Sequence, residues 1–373
     1  MKLERFLATG ISAAAILLLA PTLVDALDAA PMLPGPRHEQ HGAIRLVAQP
    51  LRELAQRSEL RIGTAVDAQS LQNETTYRDT IAKMFSTVTP ENVMKWDTVE
   101  PVQGQLDFSA GDQLVEFARS HGQLVRGHVL VWHSQLPSWL TSGTYTPDEL
   151  RQIMCQHIQQ EVTHFRGKIW QWDVVNEAME EDGTMRQSFW FKNLGPTFIA
   201  DAFRCAHRAD PKALLFYNDY NIEWSNPKSD AVYAMVKQLV SQGVPIDGVG
   251  IQGHLDLQYP FSGPVSIAQN MQRFQDLGLF TAVTEADVRM MLPADDLKLE
   301  AQAAGYSAML QGCLLTERCI SFTVWGFTDA HSWVPYAFSG QGAANLLDEN
   351  YQPKAGYEAV ATDLALVKRE HQP

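Results

Sequence analysis

Short apolar, β-branched runs alternate along most of this chain with longer stretches whose apolar residues recur three and four positions apart. Eight runs read as strands: 61–66, 85–89, 124–131, 170–176, 213–218, 248–253, 280–284 and 320–325. They are near-continuous in apolar residues rather than alternating, which predicts strands buried on both faces and paired in parallel. Helical patterns fill the intervals. In one of them Leu150, Ile153, Met154, His157, Ile158 and Val162 share a face behind Thr146-Pro147-Asp148-Glu149, which offers an N-cap Thr, a Pro in the first turn and a Glu placed for a capping box. Another starts at Ser109 and stops at Gly122. Eight strand–helix units predict a single-domain (β/α)₈ barrel, a TIM barrel, within the α/β class. An open doubly wound sheet is the alternative, but no Gly-rich phosphate loop follows any strand.

The termini follow different rules. Met-Lys-Leu-Glu-Arg precedes an apolar stretch from Phe6 to Ala20, closed by Pro21 and by Val24-Asp25-Ala26. This is the grammar of a signal peptide over 1–26, and the stretch is shorter than the roughly 20 residues of a membrane span. A polar, Pro-bearing lead-in is expected over 27–49, the barrel over 50–366 and a short tail over 367–373. The protein is expected to be secreted or periplasmic, a monomer, and off the membrane once the leader is removed.

Composition narrows the partners. With 45% hydrophobic and 19% charged residues the chain can build a sizeable core, and its net charge of -14 without a basic stripe argues against nucleic acid. Neutral substrates fit better. Cys313 and Cys319 are spaced to close a small loop in an oxidising compartment, whereas the pairing of Cys155 and Cys205, set in helical patterns, stays open.

In a barrel of this kind, chemistry gathers where strands end. Polar and aromatic clusters fall there: Glu91, Asn92, Lys95 and Trp96 after strand two; His128, Trp132, His133 and Gln135 after strand three; Asn176 and Glu177 after strand four; Asn218 and Tyr220 after strand five. Gln252 and His254 follow strand six, Glu285 and Asp287 strand seven, and Trp325 and Trp333 strand eight. Two acids in different surroundings can cut a glycosidic bond, one protonating the departing oxygen while the other meets the anomeric carbon. Trp96, Trp132, Trp325, Trp333 and Tyr220 are candidate stacking platforms for sugar rings, ringed by hydrogen-bonding groups. Trp170 and Trp172, inside a strand, read as core. His254 is placed to orient a nucleophilic carboxylate, with Asp287 on its other nitrogen. No metal or other cofactor is expected, since hydrolysis by two carboxylates needs none and no cluster has metal-ligand spacing.

These motifs resemble the tenth glycoside hydrolase family, the endo-β-1,4-xylanases. Glu-Asn-Val-Met-Lys-Trp, Arg-Gly-His-Val-Leu-Val-Trp-His-Ser-Gln, Trp-Asp-Val-Val-Asn-Glu-Ala, Tyr-Asn-Asp-Tyr-Asn, Gly-Ile-Gln-Gly-His-Leu, Thr-Glu-Ala-Asp-Val and Thr-Val-Trp-Gly-Phe-Thr-Asp carry the likeness from about Pro50 to Leu366. The resemblance implies a retaining double displacement on xylan, with Glu177 as acid/base and Glu285 as nucleophile. It further implies Asn176 beside the anomeric carbon, His254 and Asp287 behind the nucleophile, and His128, Lys95, Asn92, Glu91, Trp132 and Gln135 on the glycone side beneath Trp325 and Trp333. Cys313 and Cys319 resemble a disulfide of many members. Ala286 stands where Leu is usual and Arg289-Met290-Met291 follows, so the loop after strand seven is expected to be shaped differently. A β-1,4-glucanase on the same barrel and a non-catalytic polysaccharide-binding protein are the rivals.

Overall fold

In a computed structural model of the chain, which describes residues 50–367, the apolar runs become the staves of a closed barrel. The strands are β1 (Arg61–Val66), β2 (Thr87–Pro90), β3 (Leu124–Gly127), β4 (Gln171–Asn176), β5 (Leu214–Asp219), β6 (Gly248–Ile251), β7 (His254–Asp256), β8 (Phe280–Met291), β9 (Cys319–Val324) and β10 (Gln341–Gly342). Parallel pairing runs through β1, β2, β3, β4, β5, β6, β8 and β9, and β9 returns to β1. Closure leaves those eight strands without a free edge. The leader and lead-in expected over 1–49, and all but the first residue of the tail, lie outside the described residues.

Burial explains the apolar runs. Every position of β4 is buried, as a strand between helices and barrel interior requires. The Trp172 ring lies where a side chain on Gly127 would otherwise be, so the β3–β4 pair depends on glycine there. One charged pair also sits inside: Arg126 grips Asp173 through two nitrogens, with Nε to Oδ2 at 2.9 Å, and faces the Phe216 ring. Both partners are almost completely buried, so removing either would strand a charge.

The helices obey their caps. Thr146 and Glu149 form the expected capping box on Pro147–His164, and Ser109–Ser120 ends just before Gly122, whose φ of 63° suits glycine. Cys155 and Cys205, left open by sequence, join Pro147–His164 to Thr197–Ala209 as a disulfide with Cα atoms 5.5 Å apart. Cys313–Cys319 is the second bridge and ties the end of Asp296–Leu314 to β9. None of the described helices is long and apolar enough to cross a membrane.

Two strand limits differ most from expectation. β3 stops at Gly127 rather than 131; a cis peptide links His128 to Val129, and beyond it Val131 rejoins β4 as an isolated bridge opposite Val175, its N–H donating to the Val174 carbonyl and its own carbonyl accepting from Asn176 N–H. β8 does not stop at 284 but continues to Met291, because β7 pairs with its residues 287–289 and β10 with Met290 and Met291. The expected loop after strand seven is thus strand, and Glu285 stands within it rather than at its end.

Candidate active site

The C-terminal mouth of the barrel opens into a cleft of about 540 Å³. Glu91, Asn92, Lys95, His128, Trp132, Gln135, Asn176, Glu177, Tyr220, Gln252, His254, Glu285, Trp325 and Trp333 all line it. Asp287 and Asn218 lie beneath its floor, each fully buried.

Glu177 follows directly on β4 with φ of 57°, a left-handed conformation costing a non-glycine residue about 1–2 kcal/mol. Two hydrogen bonds hold it there: its N–H donates to the Asn218 carbonyl (2.9 Å), and its own carbonyl accepts from Arg186 Nε (2.8 Å). Its carboxylate meets four donors. Trp132 Nε1 (2.8 Å) and His133 Nε2 (2.9 Å) approach Oε2, while Asn176 Nδ2 (2.9 Å) and Gln252 Nε2 (3.1 Å) approach Oε1. Burial pushes this acid up, but the bonds from His133, Trp132 and Gln252 outweigh burial and bring it down to about 2. This hydrogen-bond shell therefore favours the carboxylate.

Glu285 has a different shell. Its Oε1 accepts from Asn218 Nδ2 at 2.6 Å and its Oε2 from His254 Nε2 at 3.1 Å, while His254 Nδ1 reaches Asp287 Oδ2 at 2.9 Å. An imidazole between two carboxylates is best satisfied as a cation donating from both nitrogens. Burial opposes that charge, yet Asp287 and then Glu285 raise the His254 pKa to about 10. Asp287 Oδ2 also accepts from Trp333 Nε1 (2.7 Å), which fixes that indole over the cleft. The two glutamates are bridged, since Asn218 Nδ2 also donates to Asn176 Oδ1 (2.8 Å) and Asn176 Nδ2 to Glu177.

At one end of the cleft Lys95 Nζ donates to Gln135 Oε1 (2.7 Å) and Asn92 Oδ1 (3.0 Å) and sits 5.0 Å from the Trp132 ring centre. Burial, then the charge of Asp67, pushes Glu91 up to about 7 against the pull of Lys95, so near neutrality it can donate as well as accept. His128, Asp173 and Glu285 bring ligand atoms within 4.8 Å of one another. Asp173 is already held by Arg126 and by His128 Nδ1 (3.0 Å), so the protein itself satisfies this cluster.

Two expectations need correction. Trp96 is not a platform: it is buried between His157, stacked at 3.8 Å, and Trp190, because it opens the short helix Trp96–Val99 on its core side. Asn218 does not face the cleft as a substrate-binding group but supports Glu285 from below. Sequence reasoning also missed contributors. Arg289 and Phe338 line the cleft, beside Asn221, which closes the Tyr-Asn-Asp-Tyr-Asn motif after strand five. Arg186, nine positions beyond Glu177, ties that residue's backbone to the Tyr220 hydroxyl (2.8 Å). His133 stands in the polar cluster after strand three, but no local pattern announces its contact with Glu177.

A parallel barrel with two unlike, bridged carboxylates in an aromatic-walled cleft is a glycoside hydrolase of the two-carboxylate kind. Residues 50–363 match the model for glycosyl hydrolase family 10. An endo-1,4-β-xylanase of Agaricus bisporus is 46% identical over 276 residues, covering 74% of this chain and 82% of that protein. Endo-1,4-β-xylanase B of Thermotoga neapolitana is 43% identical over 83% of this chain and 90% of its own length. Among solved structures, xylanase 10B of Thermotoga petrophila in complex with xylobiose superposes with a TM-score of 0.82 at 43% identity, covering 84% of this chain and 97% of that one. The chain belongs to glycosyl hydrolase family 10.

Proposed function

We propose that this enzyme is a retaining endo-1,4-β-xylanase that hydrolyses internal β-1,4 bonds of xylan and xylo-oligosaccharides. The observation that carries the reading is the pairing of Glu177 and Glu285 on one cleft in different hydrogen-bond shells, one acid met by four separate donors and the other backed by Asn218 and a histidine cation. In the first step Glu177 gives its proton to the departing glycosidic oxygen while Glu285 attacks the anomeric carbon and forms a glycosyl ester. In the second, Glu177 takes a proton from water, whose oxygen displaces Glu285 and releases the sugar with its configuration retained. The proton that water gives to Glu177 in the second step is the one it donates in the next first step, so the cycle needs no other proton source.

The remaining residues position the sugar. Asn176 meets the hydroxyl beside the anomeric carbon, and Glu91, Asn92, Lys95, His128 and Gln135 hydrogen-bond the glycone hydroxyls, with Trp132 flanking them. Trp325 and Trp333 close over that side and leave little space for a hydroxymethyl group, which favours xylose over glucose. Tyr220 stacks on the leaving-group side. The xylanases among the relatives support this substrate class. Export past the cytoplasmic membrane rests on the leader-like residues 1–26 and is tested by the N-terminal sequence of the mature protein.

Glu177→Ala tests the roles. It should retain the first step on aryl xylosides with very good leaving groups and, with azide, yield the β-glycosyl azide. Equal loss on all substrates without rescue contradicts the assignment, and faster turnover of mixed or cellulosic glucan than of xylan would instead make the enzyme a glucanase.

A further inference from the structure

Lysine is rarely buried, and the first turn of a helix disfavours a cation. Lys228 breaks both rules: it is the second residue of the helix Pro227–Ser241, and its side chain is 1% exposed. An ammonium has three N–H donors, and three partners surround this one. Glu181 Oε1 lies at 3.0 Å, Asp219 Oδ1 at 3.1 Å and the ring centre of Tyr220 at 3.3 Å from Nζ. Burial opposes the charge, but these neighbours, Asp219 most of all, outweigh it and raise the lysine above its ordinary pKa. An apolar side chain could fill the same space without desolvating an ion, so packing alone does not account for a lysine here.

The three partners converge on the leaving-group side of the cleft. Tyr220, half-buried, lines the cleft with Lys228 against its ring and its hydroxyl held by Arg186 Nη2 at 2.8 Å. Glu181 belongs to the loop that begins with Glu177, and its second oxygen accepts from Asn221 Nδ2 at 3.0 Å. Asp219 is fully buried; Oδ1 accepts from the Tyr220 N–H (2.9 Å) and Oδ2 from the Tyr217 hydroxyl (2.5 Å), whose oxygen accepts in turn from the N–H of Ala178 (3.0 Å). One buried cation thus ties the ring of Tyr220 to the segment that carries Glu177. A cation facing an aromatic ring holds it more strongly when desolvated than at an exposed site.

We infer that Lys228 is a positioning residue for the leaving group: its ammonium fixes the Tyr220 ring in the orientation that lays the departing sugar against it with the glycosidic oxygen at Glu177. The inference rests on the reading above that Tyr220 stacks on the leaving-group side.

The test compares kcat/KM for xylotetraose with kcat/KM for β-xylobiosyl fluoride. Cleavage of the middle bond of the first and loss of fluoride from the second transfer the same xylobiosyl unit to Glu285, but only the first has a departing sugar to stack on Tyr220. Lys228→Met, which keeps much of the side chain's volume without its charge, should lower the xylotetraose-to-fluoride ratio about three- to tenfold, the worth of one stacking contact. Tyr220→Ala should lower the ratio likewise, and adding Lys228→Met to Tyr220→Ala should lower it no further. Because Met leaves the Asp219 charge stranded, Lys228→Met/Asp219→Asn, which removes both charges, is measured beside it and should show the same fall. Equal losses on the two substrates would give Lys228 a purely structural role, and a further fall in the Tyr220→Ala background would show that it does not act through Tyr220; either overturns the inference. A ratio unchanged by Tyr220→Ala would instead be a failure of the placing of Tyr220, and absence of xylotetraose turnover by the unaltered enzyme a failure of the xylanase reading.

Discussion

Replacing Asn218 with alanine separates support of the nucleophile from binding of the substrate. Its Nδ2 donates at 2.6 Å to Glu285 Oε1, and a hydrogen bond to a charged group contributes about 1.5–3 kcal/mol. That bond is strongest when Glu285 carries its full charge and weakens once the carboxylate becomes an ester. Its loss therefore falls most heavily on the second step, in which the carboxylate departs. At about 1.4 kcal/mol per tenfold, kcat should drop roughly 10- to 150-fold. KM should drop with it on an activated aryl xylobioside, because the glycosyl-enzyme accumulates, and a pre-steady-state burst should appear. The same change orphans the Thr284 hydroxyl, which donates to Asn218 Oδ1 at 2.7 Å, and should cost about 1–3 kcal/mol in denaturant unfolding. Asn218→Asp would set a like charge beside Glu285 and move the acid limb of the rate profile to higher pH. A raised KM with kcat intact would refute the reasoning and return Asn218 to the substrate-binding groups.

The His254 cation should set part of the alkaline stability. Its pKa is raised from an ordinary value near 6.5 to about 10, so its contribution is complete below about 6.5 and is lost as pH rises towards 10. The unfolding temperature should fall across that window, and the deficit of His254→Gln should be largest near pH 6 and close towards pH 10; a deficit constant with pH contradicts this. For the disulfides, sequence separations of 50 and 6 correspond to about 4 and about 2 kcal/mol of loop-closure entropy. Serine replacement of Cys155 and Cys205 should therefore lower the denaturant midpoint more than replacement of Cys313 and Cys319, and the reverse order would count against a chain-entropy origin.

What could be read from sequence follows from how local each feature is. β1 begins and ends as its apolar run does, and the capping box at Thr146 is written in four consecutive residues. β8 was cut short at 284 because Glu285 and Asp287 look like the end of a strand, yet they are buried and paired with partners on β5 and β7, which no local pattern announces. Trp96 looked like a platform through its neighbours, but its ring turns inward to His157 and Trp190, both remote in sequence. Cys155 and Cys205 meet only because two helices pack together. Glu177 and many of the polar groups that line the cleft are legible because they sit just beyond a strand end, and Glu285 because it interrupts an apolar run. Arg289, Phe338 and the bridging role of Arg186 required the assembled barrel mouth.

If Glu285 forms the covalent intermediate while Glu177 serves as acid and base, that intermediate can be trapped. An activated aryl 2-deoxy-2-fluoro-xylobioside slows release of that intermediate and allows peptide mass spectrometry to locate it. One fluoroxylobiosyl group per chain is expected, on Glu285, with inactivation in step with labelling. A label on Glu177, or steady turnover without any label and with inversion at the anomeric carbon, would contradict it.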